Sequence, residues 1–356
     1  MARTVANGEI TQTLIDAQSG GRVPYIRIYI NNTDYSSRLL YLEHHEEAYR
    51  DRATIGLSNR DSTLDNLDLN GKEFEIGYGF VTGAGNEYVR TAPLWIKSIQ
   101  VISVQGERIY QIYAEGSWMQ LREQKVIAGV TGEQTSVYSN VFPGSHTVYE
   151  LMDLILEGAM SWDFVDAHPD DGIIDTFKPT FQINEMPFEN AAALLYRLLW
   201  MTMCYLRIRA ISGDAIQYPR WEVIYPQITD AVDKAYYSDQ APYFTEYVEK
   251  NTLLIPNSIV VLCNQEPVTE LWDTPAYPLI VGTAKDQDQI NKYTEAGKEL
   301  IQVFLCGNIR TQEDADNRAL AILTRLKSEI LSGRLITPHD SQIELYDKVS
   351  VSDRRG

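Results

Sequence analysis

From Val23 the chain alternates between apolar and polar positions with a period of two. In PYIRIYINN, Ile26, Ile28 and Ile30 fall on one face of a strand, while Tyr25, Arg27 and Tyr29 fall on the other. NNTDYSS supplies turn chemistry, and RLLYLEH resumes an extended run. Further strands are predicted at 53–59, 73–81, 94–104 and 108–118, the short spacing of a barrel or sandwich. Asn70-Gly71 reads as a hairpin-type turn, and Gly77 and Gly79 inside EIGYGF predict a bulge or a sharp bend. Residues 1–22, polar and carrying the pair Gly20-Gly21, read as an arm outside the core.

After about residue 125 the period changes. FPGSHTVYELMDLILEGAM predicts a helix with Thr147 and Glu150 as a capping box and Val148, Leu151, Met152 and Ile155 as its buried stripe. A second helix is expected from Met186-Pro187 through ENAAALLYRLLWM, followed by a hairpin of TMCYLRIRAI with RWEVIY. Strand character returns at 257–265, 278–284 and 299–307. Then comes the clearest helix, capped by Thr311 with Glu313, Asp314 and Asp316 at its positive end. Its stripe is Ala315, Ala319, Ile322, Leu323, Leu326 and Ile330, and Gly333 is expected to break it. GRLITP and YDKVSVSD read as two short strands.

Composition narrows the function. Twenty-two tyrosines suit half-buried strands and wet contact surfaces, because the ring packs while its hydroxyl stays solvated. A net charge of −18 repels nucleic-acid phosphates, which argues against specific DNA binding yet leaves room for a wall that DNA slides past. Cys204, Cys263 and Cys306 sit far apart in apolar runs and are expected as buried free thiols. No apolar leader opens the chain and no apolar run of about 18 residues interrupts it, so folding in the host cytoplasm without membrane insertion is expected.

No catalytic constellation emerges. In EHHEEAYRDR, His44 and His45 are adjacent, whereas a zinc helix needs its two histidines one turn apart; on a strand they point to opposite faces. The stretch is read as a solvated strand end. The acidic stretch DFVDAHPDDGIIDTF carries Asp163, Asp166, His168, Asp170, Asp171 and Asp175, but it misses the spacing of a calcium loop, so a solvated loop is expected. Nucleophile elbows, dinucleotide fingerprints and phosphate loops are absent from the sequence. Neither a catalytic residue, a cofactor nor a metal is assigned.

The order of elements resembles the tail or baseplate hub proteins of tailed phages and related contractile injection machines, including the late-control protein D and valine-glycine-repeat spike-hub group. PYIRIYINNTDYSSRLLYLEHHEEAYRDRATIGLSN is similar to that family's opening, and NLDLNGKEFEIGYGF with LWIKSIQVISVQGERIYQIYAEG is similar to its early meander. NSIVVLCN, then DQDQINKYTEAGKELIQVFLCGNIRTQEDADNRALAILTRL, is similar to its second barrel and C-terminal helix. The valine–glycine signature is absent, and no fused spike or lysozyme domain is expected after VSVSDRRG.

The resemblance implies a mainly β fold with an α+β insertion: two tube-protein-like antiparallel β-barrels plus a peripheral α/β domain. The expected division is an arm at 1–22, a first barrel at 23–125, an α/β insertion at 126–217, a second barrel at 218–310, and a C-terminal helix and strands at 311–356 that complete the barrels. It further implies a homotrimer whose pseudo-sixfold ring joins the tail tube to a threefold spike or tail tip, with DNA passing only in transit. Tail tube protein, spike or tip protein, tape-measure protein and neighbouring baseplate or distal tail proteins would be its partners, in the virion. Tyr25, Tyr29, Tyr110, Tyr113 and Trp118 are the candidate subunit contacts. The alternatives are a sixfold distal-tail or tube-terminating protein and, in another class, a carboxylate-dependent cell-wall hydrolase.

Overall fold

A computed structural model of the chain describes residues 10–20, 23–124, 140–160, 176–183, 189–209, 220–251, 255–263, 280–292, 298–307, 309, 311–329 and 331–354. The alternation after Val23 folds as one eight-stranded antiparallel sheet. Its strands are β1 (Pro24–Ile30), β2 (Thr33–Asp34), β3 (Leu39–Glu47), β4 (Arg50–Ser58), β5 (Glu73–Thr82), β6 (Gly85–Arg90), β7 (Leu94–Val104) and β8 (Glu107–Gly116). The path runs β2-β1-β5-β7-β8-β4-β3, with β6 beside β5, and its two ends do not pair. The sheet is therefore open rather than a closed barrel.

Its inner face carries the predicted residues. Ile28, Ile30, Ile55, Leu57, Phe74, Ile76, Leu94 and Ile112 are buried in one cluster. Gly77 and Gly79 make no bulge, since β5 stays in register with β1 and β6 throughout. They make room instead: a Cβ on Gly77 would lie 2.5 Å from the Tyr88 ring, and one on Gly79 would lie 1.8 Å from the Glu87 carbonyl oxygen. The register shift occurs in β7, between Ile96 and Ser98. One extra residue there moves the inward set from Leu94 and Ile96 to Ile99 and Val101.

A larger core lies under the helices. It joins Trp118 and Leu121 of α2 (Ser117–Glu123), the stripe of α3 (Val148–Met160), α4 (Ala191–Thr202), strands β11 (Tyr205–Arg209) and β12 (Arg220–Ile224), and α6 (Gln312–Ser328). The capping box of α3 is reciprocal: Glu150 N donates to Thr147 Oγ1 at 3.1 Å, and Thr147 N donates to Glu150 Oε2 at 2.7 Å. Helix α4 is capped by Asn190, whose side chain accepts from Ala193 N at 2.8 Å, so it starts later than Met186-Pro187 suggested. A two-stranded antiparallel sheet of β9 (Asn140–Pro143) with β10 (Thr180–Ile183), the two strands flanking α3 in sequence, precedes it. The hairpin of β11 with β12 forms as expected.

Strand β15 (Ser258–Cys263) is central to a three-stranded sheet, antiparallel to β16 (Ile280–Lys285) and parallel to β17 (Ile301–Cys306). One short helix, α5 (Gln287–Lys292), follows β16. Helix α6 lies so close to this sheet that a Cβ on Gly282 would meet the Ala315 carbonyl oxygen at 2.0 Å. Its N-cap is Thr311, as predicted, but it ends at Ser328. Gly333 breaks no helix; it sits inside β18 (Leu331–Ile336), where a Cβ would lie 2.2 Å from the Val248 carbonyl oxygen of β14 (Glu246–Asn251). Strand β19 (Val349–Ser352) pairs in parallel with β13 (Lys234–Tyr237). The later strands thus form several small sheets, two with parallel pairs, rather than one antiparallel barrel.

The N-terminal arm is also part of the fold where it is described. Helix α1 (Gln12–Ser19), capped by Thr11, buries Leu14 and Ala17 with Ile10 against Phe80 and Val89. Two apolar positions per turn were too few to mark it in the sequence.

Candidate functional site

His44 and His45 lie on β3 and face opposite sides of the sheet. His45 is exposed and bonds Glu43 at 2.8 Å. The His44 side chain is buried rather than solvated: its Nε2 lies 2.9 Å from Asp51 and its Nδ1 lies 3.1 Å from the Tyr78 hydroxyl. Burial disfavours the charged imidazole, but the hydrogen bond and charge of Asp51, with Glu46 behind it, outweigh this and raise the His44 pKa. Among the described residues no group of three metal-ligating side chains forms. The acidic stretch 163–175 lies outside them.

The candidate contact residues fall into two sets. Tyr110 is buried and donates to Asp65 at 2.9 Å; Trp118 is buried, with its ring 4.7 Å from Tyr49 and 6.0 Å from Trp221. Both are used inside the chain. Tyr113 is half-buried and donates to Glu115 at 2.7 Å. Tyr25 and Tyr29 belong to a half-exposed cluster on the outer face of β1 and β6. There the Tyr29 and Tyr88 hydroxyls are 2.8 Å apart, Arg90 stands 4.8 Å over the Tyr29 ring, and Arg90 bonds Glu75 at 2.8 Å. Arg27, paired with Asp34, completes it. Aromatic rings braced by arginines suit a protein contact, because they present a rigid surface with little entropy left to lose.

The segment between β18 and β19 links the two main bodies of the chain. Ser341 N donates to Gln18 Oε1 at 2.5 Å, and the His339 and Tyr78 rings stand 4.1 Å apart. On its other side, Arg207 of β11 bonds Asp347 at 2.9 Å and Glu222 at 3.0 Å. Arg207 and Asp347 are almost fully buried, and the surrounding carboxylates hold the Arg207 pKa up against burial. Stacking of Tyr205 on Tyr346 and on Arg325 extends the join; burial pushes the Tyr205 hydroxyl up to about 12.

Two strand surfaces are uncovered. Past its bulge, β7 has no partner on one edge among the described residues, since β5 pairs with it only at Trp95 and Leu94. Ile99 and Val101 there continue the inner stripe but stand exposed. On β17, Ile301, Val303 and Leu305 are 57%, 53% and 73% exposed. The register places them beside Val260, Leu262 and Val281 on the face turned away from α6. Sequence reasoning predicted this strand but missed its face. The signal was present: both alternating sets, Ile301-Val303-Leu305 and Phe304-Cys306, are apolar, the pattern of a strand covered on two sides. Among the described residues only one side is covered.

No family model and no curated protein matches the chain. Its fold is similar to that of the tail protein from Neisseria meningitidis MC58, with a TM-score of 0.56 and 10% identity over 93% of this chain and 86% of that one. It is equally similar to the 43 kDa tail protein of prophage MuSo2 from Shewanella oneidensis, with a TM-score of 0.55 and 11% identity over 92% and 89% of the two chains. The fold is thus mainly β and similar to that of these tail proteins.

Proposed function

We propose that the chain is a structural, non-enzymatic component of a phage tail or baseplate, and that it acts as a trimeric hub joining the tail tube to a threefold spike or tip. The observation that carries this reading is the pair of uncovered apolar strand surfaces, at β7 and at β17. One lies in each half of a chain whose fold is that of tail proteins. A soluble monomer seldom leaves a free strand edge with exposed Ile and Val, because such an edge templates further pairing. A ring closes these edges by setting the next subunit against each one. The two β-rich halves would stand as neighbours in a pseudo-sixfold ring, with the insertion 126–217 at the periphery. Tail tube, tape-measure, spike and adjoining baseplate proteins would contact its two rims. The acidic balance suits a wall from which DNA in transit is repelled.

Mass photometry of the purified full chain tests the stoichiometry. Trimers are expected. Hexamers would favour a sixfold distal-tail or tube-terminating role, and a chain that stays monomeric at all concentrations would overturn the reading.

A further inference from the structure

Arg318 of α6 is 3% exposed, yet among the described residues it forms no ion pair with a carboxylate and its Nη1 has no hydrogen-bond partner. The Cys306 thiol is within hydrogen-bonding reach of its guanidinium and the Cys204 thiol is close by. A second cation, Arg325, adds repulsion, so that burial and like charge both work against the guanidinium. The contrast with Arg207, equally buried but held by Asp347 and Glu222, is sharp. A buried cation without an anion is costly, and native structures rarely keep one without a use.

Arg318 lines a cavity of about 360 Å³ that is otherwise apolar and aromatic, with Phe177, Tyr196, Trp200 and Leu305 among its walls. Arg197 also lines it, but its charge is already met by Glu189 at 2.9 Å. Tyr196, Trp200 and Leu305 are 50%, 49% and 73% exposed, so the cavity opens at the surface. Leu305 is also the end of the bare β17 strip. The cationic floor and the apolar strip form one continuous surface.

We propose that this pocket receives a carboxylate from a second copy of this chain, with the β17 strip as the apolar seat beside it. Charge complementarity favours a copy: with 49 acidic against 31 basic residues, the chain offers carboxylates in excess of the cations that pair them. A copy also brings its own exposed apolar edge at β7, which the described residues of one chain equally leave bare. The inference builds on the self-assembly in the hub reading, and it assigns part of the interface to a pocket rather than to the tyrosines.

The test is sedimentation velocity on the full chain across the micromolar range, with Arg318→Met and Leu305→Asp beside wild type. Loss of a buried ionic contact should weaken self-association by about thirtyfold or more in Arg318→Met. The melting temperature of the dissociated Arg318→Met chain should hold or rise, because an unpaired buried charge is removed. Leu305→Asp should also dissociate the assembly. If Arg318→Met fails to fold, Leu305→Asp decides. Association unchanged in the variants, or a lower melting temperature of the dissociated Arg318→Met chain, overturns the pocket. Wild-type stoichiometry judges the hub reading separately: a hexamer that Arg318→Met dissociates keeps the pocket and discards the trimer.

Discussion

The first sheet and the later small sheets are both mainly β, but they are built in opposite ways. In the first sheet, most neighbours in space are neighbours in sequence: β3 turns into β4, β5 into β6, and β7 into β8 where Val104 meets Glu107. Among the later strands, β14 pairs with β18 from Glu246–Ile336, 90 residues apart, to Asn251–Leu331, 80 apart, and β13 meets β19 across a longer span still. The first sheet owns its core. The later strands share theirs with α3, α4 and α6, and they are tied to the first sheet by residues 337–348. A locally paired sheet is expected to form early and hold alone, whereas one closed by the chain's end waits until that end arrives.

Substitutions can separate the two. Phe74→Ala empties the centre of the first core and should cost about 3–5 kcal/mol, read by urea melts. Hydrogen exchange in this variant should show amide protection lost first in β1–β8; loss in β13–β19 instead would break the division. Asp347→Ala leaves Arg207 buried with only Glu222 and Glu344 to compensate it and should cost about 3 kcal/mol or more, with protection lost in β13 and β19 ahead of β4 and β8. Gly282→Ala drives a methyl into the backbone of α6 and should cost about 1–3 kcal/mol, with proteolysis of α6 as the readout. Thr311→Ala removes the cap of that helix and should cost about 1 kcal/mol by thermal melt.

The smallest effect is electrostatic. The folded-state pKa of His44 lies above its ordinary value of 6.5, so its contribution is fully present below that value and is lost as pH rises through the raised one. Wild type should therefore be less stable at pH 8 than at pH 6 by an increment that His44→Gln lacks. Equal pH slopes in the two proteins would show that Asp51 does not hold the charged ring.

What could be read directly follows this contrast. Ile26-Ile28-Ile30, the Thr147–Glu150 box and the Thr311 cap all rest on groups within a few residues of one another, where spacing decides orientation. Gly77, Gly79 and Gly333 misled, and Gly282 carried no signal, because their reasons lie across space, in Tyr88, Glu87, Val248 and Ala315. Tyr110 and Trp118, set out as contacts, turned inward for a partner that no pattern names: Asp65 for one, Tyr49 and Trp221 for the other.

The amino-acid order by itself determined the strands of the first sheet, the three long helices, the caps at Thr147 and Thr311 and the apolar face of β1, α3 and α6, because periodicity and capping act over one turn or one pleat. Only the tertiary structure decided which strands meet, that the first sheet stays open, and, among the described residues, that Arg207 is paired with carboxylates while Arg318 is not and which apolar stripes are left uncovered. Those outcomes depend on what the remainder of the chain brings to each surface, and burial and pairing are properties of that meeting rather than of any segment.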